Sequence, residues 1–375
     1  MADTPRISIL IPTRGRPGLL SNCLECLAKQ AGFAGSSGQI EVLVLLDGPD
    51  GESGAAAEAF STRLALRVIE CPRLGIAHAK NQGLALARGE LIVLLNDDVL
   101  PGPGFLAEHL QGHQDLGGMP GMVVGWSPWV VQAPDTLFQR LLRETSMVFF
   151  YDRMVTPEGR PLQPPAHDWG YRHAWNLNLS FRRDLAVAVG GFRDALANCC
   201  YEDVEFAYRF TGELGDGDRR APVRFRVQAV APHDHRYTPA GYLEREFRLG
   251  YSAYGLAHAA PDCARDIFNV DLLSDAELDY ARRFIEHESR QEPALRAAFE
   301  RLGDMPAATL DAENRHEFRT LLSQQQLVLK RLAFRRGLVA ASREERIEGL
   351  FHPIDGLHAA PGVERHLNPG TPLAR

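Results

Sequence analysis

The first hundred residues alternate short, β-rich apolar runs with segments whose apolar residues recur at helical spacing. The runs are Ile7 to Ile11, Ile40 to Leu46, Leu66 to Ile69 and Leu91 to Leu95. Between them, Pro17 to Gln30, Gly54 to Arg63 and Ile76 to Arg88 carry the helical pattern, with turn residues at each change of period. That alternation predicts four βα units and a mostly parallel sheet flanked by helices, an α/β fold. Ligands of such sheets bind beyond the carboxyl ends of the strands. The residues there are Pro12, Thr13 and Arg14, then Asp47 to Asp50, then Asn96, Asp97 and Asp98. None of these turns carries G-x-G-x-x-G or G-x-x-x-x-G-K, which disfavours a dinucleotide dehydrogenase and a P-loop kinase.

From Met119 to Trp175 the pattern is irregular, rich in proline, and holds all four tryptophans. Such a loop is too apolar for disorder, and Trp169 and Trp175 either stack on a sugar or base face or cover the end of the core. Regular structure resumes with a strand over Leu177 to Phe181, helices from Asp184 and from Glu202, and a strand over Val223 to Ala229. After Pro239 the chain reads as helical to about Ala341. The expected organisation is a domain over 1–255, a helical extension over 256–350 and a flexible tail over 351–375. At Lys330, Arg331, Arg335 and Arg336 basic residues adjoin apolar ones, a pattern that favours packing on the chain's own domain over an interfacial membrane helix.

Composition narrows the function classes. A formal net charge of −7, from 41 basic and 48 acidic side chains, gives no global field to gather nucleic acid, so no nucleic-acid partner is expected. No apolar run reaches bilayer length and no signal-like start is read, so the expected location is cytoplasmic, with peripheral association at the inner membrane face and self-association left open. The six cysteines lack the spacing of a disulfide framework, and the Cys23-x-x-Cys26 pair sits on an amphipathic helical pattern with no second pair at zinc spacing.

Two segments carry chemistry. Asn96-Asp97-Asp98 follows a strongly apolar strand, and a loop there can hold a hard divalent cation, Mn²⁺ or Mg²⁺, while leaving positions for phosphate oxygens. These residue types also favour turns for purely local reasons. At Glu202, Asp203 and Glu205 an acidic cluster opens a helix; it either caps backbone N–H groups or supplies a general base for an acceptor hydroxyl. His233 and His235 lie two apart after a strand, and one imidazole can complete a metal shell.

Together these residues resemble the family 2 glycosyltransferases, with the nucleotide-sugar-binding GT-A fold, over about residues 6 to 255. Ile7 to Arg14 resembles the opening strand and turn, and Glu41 to Gly48 the second strand ending in a base-binding Asp47. Gly75 to Gly83, containing Lys80 and Asn81, and Ala87 to Glu90 resemble the approach to the family's Asp-x-Asp motif, here Asn96-Asp97-Asp98. Asn176 to Arg183, followed by Gly190-Gly191-Phe192, resembles the sugar and acceptor segment. Glu202-Asp203 matches the acidic catalytic pair and His233 the late metal ligand.

The resemblance implies an inverting single displacement with Asp203 as base beside Glu202 and a metal held by Asp98 and His233. The nucleotide-sugar would meet Pro12, Thr13, Arg14, Asp47, Lys80, Asn81, Asn96, Asp97 and Asn178, and sugar or acceptor would meet Trp169 and Trp175. The expected donor is a nucleoside-diphosphate sugar, UDP favoured over GDP and dTDP, and the acceptor a glycan, a lipid-linked molecule or a small molecule. Asn96 in place of the family's first aspartate leaves Asp98 as the direct ligand and lowers the charge of the site. Two other readings are a nucleotidyltransferase and a non-catalytic nucleotide-sugar or glycan-binding module. A poor phosphate loop at Thr13 to Arg16 weighs against the first, and Asp98, Glu202, Asp203 and His233 together weigh against the second.

Overall fold

The computed structural model of the chain describes residues 5–30, 39–196 and 200–347. Its first part runs β1 (Ile7–Thr13), α1 (Pro17–Leu27), β2 (Ile40–Asp47), α2 (Gly51–Glu58), β3 (Leu66–Cys71), α3 (Ile76–Leu86), β4 (Leu91–Leu95) and α4 (Phe105–Asp115). There follow β5 (Met122–Trp126), α5 (Leu137–Glu144), β6 (Asn178–Arg182), α6 (Arg183–Ala188), α7 (Glu202–Glu213) and β7 (Val223–Val230). Five helices close the described chain: α8 (Pro239–Ala259), α9 (Pro261–Phe268), α10 (Asp275–Glu288), α11 (Glu292–Gly303) and α12 (Ala312–Ser342).

Seven strands form one sheet in the order β3-β2-β1-β4-β6-β5-β7. β1 pairs in parallel with β2 and β4, and β2 with β3, so the four expected βα units stand side by side. β6 is reversed: it runs antiparallel to β4 and β5, while β7 runs parallel to β5. Successive side chains of a strand face opposite sides, and the core divides accordingly. Leu10, Leu43, Leu45, Ile92 and Leu94 pack on one face with Phe181, Phe206 and Phe210. On the other, Ile9, Ile11, Val42, Val44, Val93 and Leu95 pack against Leu20, Leu24 and Phe105. Both faces are covered, which is why these strands read as unbroken apolar runs.

The stretch read as irregular contains β5 and α5. A five-residue strand interrupted by Gly125 and an eight-residue helix between prolines are too short to set up a visible period. The helix is amphipathic, capped by Thr136, and its Leu137, Phe138 and Leu141 pack against Tyr242, Phe299 and Leu322 from the C-terminal helices.

Residue 255, the expected end of the first domain, lies inside α8. That helix crosses α12 closely: a Cβ at Gly250 would collide with the Phe334 carbonyl, and one at Gly337 with the Phe247 carbonyl. Three of the four basic residues singled out on α12 are spent on packing against α8, α10 and α11, while Arg331 is exposed. Arg336 pairs with Glu292 at 2.5 Å, Lys330 approaches Glu246 at 3.9 Å, and Arg335 lies over the Tyr280 and Phe284 rings. Among the described residues no helix is long and apolar enough to cross a membrane. Described cysteines are all free thiols, Cys23 and Cys26 included. The tail expected over 351–375 lies outside the described residues.

Candidate functional site

The sheet brings the ends of β1, β2 and β4 to one edge, and the segment after β7 returns to it. Asp234 N–H donates to the Asp98 carbonyl at 2.7 Å, Leu100 N–H to Pro232, and Val99 bridges His233. These backbone bonds fix the two imidazoles over the acidic turn. His233 Nε2 lies 3.4 Å from Asp98 Oδ1, and His235 Nδ1 lies 3.4 Å from Asp98 Oδ2. One ligand atom from each of the three residues falls within 4.8 Å of the others.

This oxygen-and-imidazole set fits a divalent cation. Asp98 Oδ1 and His233 Nδ1 are buried and have no hydrogen-bond partner among the described residues. Burial opposes ionisation of Asp98, but His233, His235 and Arg16 outweigh it and hold the carboxyl well below the usual range. An ionised carboxylate facing two imidazoles is the state that binds a metal.

Asp97 turns the other way. Thr13 Oγ1 donates to its Oδ2 at 2.6 Å, and Arg16 Nη2 lies 2.5 Å from its Oδ1 without hydrogen-bond alignment. Burial pushes its carboxyl up to about 6, against Arg16 and Thr13. Arg16 also donates from Nη1 to Asp98 Oδ2 at 2.9 Å. Arg14, the expected cation of this turn, is instead exposed, and Pro12 is buried in β1. Asn96 is half-buried; its backbone N–H reaches the Leu177 carbonyl and its own carbonyl receives the Cys23 thiol. Asp47, half-buried at the end of β2, accepts from Gly75 N–H at 3.1 Å ahead of α3.

The acidic pair stands at the start of α7. Lys80, buried on α3, donates to Glu202 Oε1 at 2.7 Å and lies 5.3 Å from the Phe192 ring centre, so the pair and not the acidic turn is its partner. Asp203 is half-buried; burial and the neighbouring Glu202 push its carboxyl up to about 7, with Lys80 pulling the other way. Glu205 is occupied by Arg193 at 2.5 Å and Arg209 at 2.9 Å. Tyr237 stands beside the imidazoles, its ring 4.3 Å from His235 and 6.0 Å from Trp129.

Two expected contacts are consumed elsewhere. Asn81 clamps the 192–194 loop, donating to the Phe192 carbonyl and Asp194 and accepting from Phe192 N–H. Asn178 is fully buried; its amide donates to Ser127 and the Ala229 carbonyl and its Oδ1 meets His109 Nε2 at 2.8 Å. Its neighbour Asn176, 5% exposed, has neither amide atom hydrogen-bonded among the described residues. Trp175 joins Phe149, Phe150 and Tyr151 in an aromatic cluster, and Trp169 packs on Phe225 of β7. Of the tryptophans it is Trp129 that packs on the candidate metal set, 4.6 Å from His233.

Arg16, His235, Asn176 and Trp129 are thus candidates beyond the expected site residues. His235 was visible in its His-x-His spacing and Arg16 as a second basic residue in the β1 turn. Asn176 opens the segment that resembles the sugar and acceptor segment, where Asn178 was singled out instead, and Trp129 had no local signal.

Residues 8–176 match the model for glycosyl transferase family 2. A validoxylamine A glucosyltransferase from Streptomyces hygroscopicus subsp. limoneus is 27% identical over 229 residues, which is 56% of this chain and 48% of that protein. An uncharacterized glycosyltransferase of Bacillus subtilis, EpsJ, is 30% identical over 95 residues, covering 25% of this chain and 26% of that protein. The chain spans about half the length of the Streptomyces relatives it matches. A mannosyltransferase from Pyrobaculum calidifontis, solved in complex with GDP-Man and Mn²⁺, shares the fold with a TM-score of 0.50 at 18% identity, over 90% of this chain and 89% of that one. With the strand order, the acidic turn at the sheet edge and the match over residues 8–176 in agreement, that segment is similar to glycosyl transferase family 2 and the chain has the GT-A fold.

Proposed function

We propose that the chain transfers a sugar from a nucleoside-diphosphate sugar to an acceptor hydroxyl with inversion at the anomeric carbon. The observation that carries this reading is the convergence of Asp98, His233 and His235 at the carboxyl edge of the sheet. Those three residues would hold a divalent cation, and two imidazoles favour Mn²⁺ over Mg²⁺. Such an ion, when bound, neutralises charge growing on the departing diphosphate.

The chain's own residues do the rest. Asp203 accepts the acceptor's proton as the hydroxyl oxygen bonds to the anomeric carbon and the bond to the diphosphate breaks. A carboxylate raised above the ordinary range by burial and by the neighbouring Glu202 is a stronger base than an ordinary one. Glu202, held by Lys80, orients the helix start and keeps negative charge beside Asp203. Asp47 receives the base or ribose, UDP being the favoured nucleotide. Asn176, with a free donor and a free acceptor in a buried place, meets a sugar hydroxyl. Trp129, Tyr237 and Trp175 give the acceptor side apolar ring faces, suited to the ring of a glycan or small polyhydroxylated molecule.

Calorimetry with UDP, GDP and dTDP, each with Mn²⁺ and after chelation, tests the reading. Nucleotide binding that depends on the cation is expected, followed by donor hydrolysis on a panel of nucleotide-sugars. Equal affinity with and without cation would remove the metal from the account.

A further inference from the structure

Arg16 stands at the candidate metal site, and its role here rests on that site holding a divalent cation. Its guanidinium engages both carboxylates of the acidic turn, Asp97 at 2.5 Å and Asp98 at 2.9 Å. The Asp98 oxygen it occupies is Oδ2, the same atom that His235 Nδ1 approaches at 3.4 Å. One oxygen of the three-residue metal set is therefore already committed to a side-chain cation. A divalent ion on that oxygen would stand within a few ångströms of the guanidinium, and two like charges so close in a largely buried site repel. Both cannot share it at full strength.

Arg16 is also free to leave. It is the residue before α1, its side chain is 39% exposed while those of Asp97 and Asp98 are 0% and 4% exposed, and its closest contact, to Asp97, lacks hydrogen-bond alignment. Guanidinium groups pair bidentately with phosphate as readily as with carboxylate. At the mouth of the acidic turn the natural second partner is the diphosphate of the donor.

We propose that Arg16 competes with the divalent cation for the Asp98 carboxylate and, when displaced, pairs with the diphosphate of the nucleotide. Cation and nucleotide then bind cooperatively: the ion releases the arginine, and the nucleotide keeps it from returning. Linkage makes the effect reciprocal. In the absence of both, Arg16 keeps two adjacent buried carboxylates from standing unpaired.

The test is Mn²⁺ binding followed by electron paramagnetic resonance and calorimetry, in the full chain, without and with UDP. R16Q should bind Mn²⁺ alone about tenfold tighter than wild type, and UDP at saturating Mn²⁺ about tenfold weaker, so the coupling between the two ligands collapses. R16K, which keeps a charge but loses the planar fork, should fall between, and thermal melting of both variants checks that they fold. If R16Q and R16K bind Mn²⁺ no tighter than wild type while wild type binds it, the competition is wrong and the metal site stands. If no form binds Mn²⁺ with or without UDP, the metal reading fails and this proposal falls with it.

Discussion

Lys80 Nζ lies 2.7 Å from Glu202 Oε1, and both side chains are buried. The pair joins α3 to the start of α7 across 122 residues of sequence, and so holds the expected base next to the edge of the parallel half of the sheet. An ion pair this enclosed costs desolvation and repays it only while both members are present.

Removing one member should therefore destabilise sharply. Lys80→Met leaves Glu202 charged and unpaired, at a cost of about 3 to 5 kcal/mol, whereas Lys80→Met with Glu202→Gln should recover most of it. Urea denaturation of the two single variants and the double variant measures the coupling. Equal loss in the double variant and in the sum of the singles would mean that the two side chains act independently.

Asn176 and Asn178, two residues apart, should behave oppositely. Asn178→Ala removes a side chain with three buried partners and should cost about 2 kcal/mol or more of stability. Asn176→Ala removes no hydrogen bond among the described residues, so the folded protein should be nearly as stable while donor affinity falls about tenfold. Thermal melts paired with donor titrations separate the two effects.

Much of this site was legible because its chemistry sits where apolar runs stop. The ends of β1, β2 and β4 were marked by Thr13, Asp47 and Asp97-Asp98, and short unbroken apolar runs alternating with 3.6-period segments are the mark of buried βα units. Harder to read was which polar residue at each end faces the cleft. Arg14 and Arg16 are both basic residues of one turn, but the chain leaves Arg14 exposed and aims Arg16 at the acidic pair, and only the backbone path decides between them. Asn178 looked like a sugar contact, yet β6 runs antiparallel between β4 and β5, which buries Asn178 beside His109; no residue pattern announces a reversed inner strand.

That burial has a pH signature. The Asn178 amide oxygen needs a donor at His109 Nε2, so Nδ1 accepts from Ser180, and burial pushes the imidazole down to about 3. A histidine whose folded pKa lies below its unfolded value contributes stability above about pH 6.5, and that contribution is lost as pH falls toward 3. His113, on the same serine, is pushed down to about 4 and acts in the same direction. His109→Asn should thus be less stable than wild type at pH 8, with the gap narrowing steadily below pH 6.5. A gap that stays constant down to pH 4.5 would show that His109 does not titrate with unfolding.

The role of Asp203 is open to one direct measurement: the single-turnover rate of sugar transfer by Asp203→Asn and wild type at saturating donor and Mn²⁺, as a function of pH. The wild-type rate should rise with pH through about 7 and level off, because the carboxyl must lose its proton before it can accept another. Asp203→Asn, which keeps the shape and removes the proton acceptor, should bind donor normally and transfer on the order of a hundredfold or more slower, without that rise. A transfer rate near wild type in Asp203→Asn, with the same pH profile, would contradict the assignment and leave the acidic pair a purely structural role at the start of its helix.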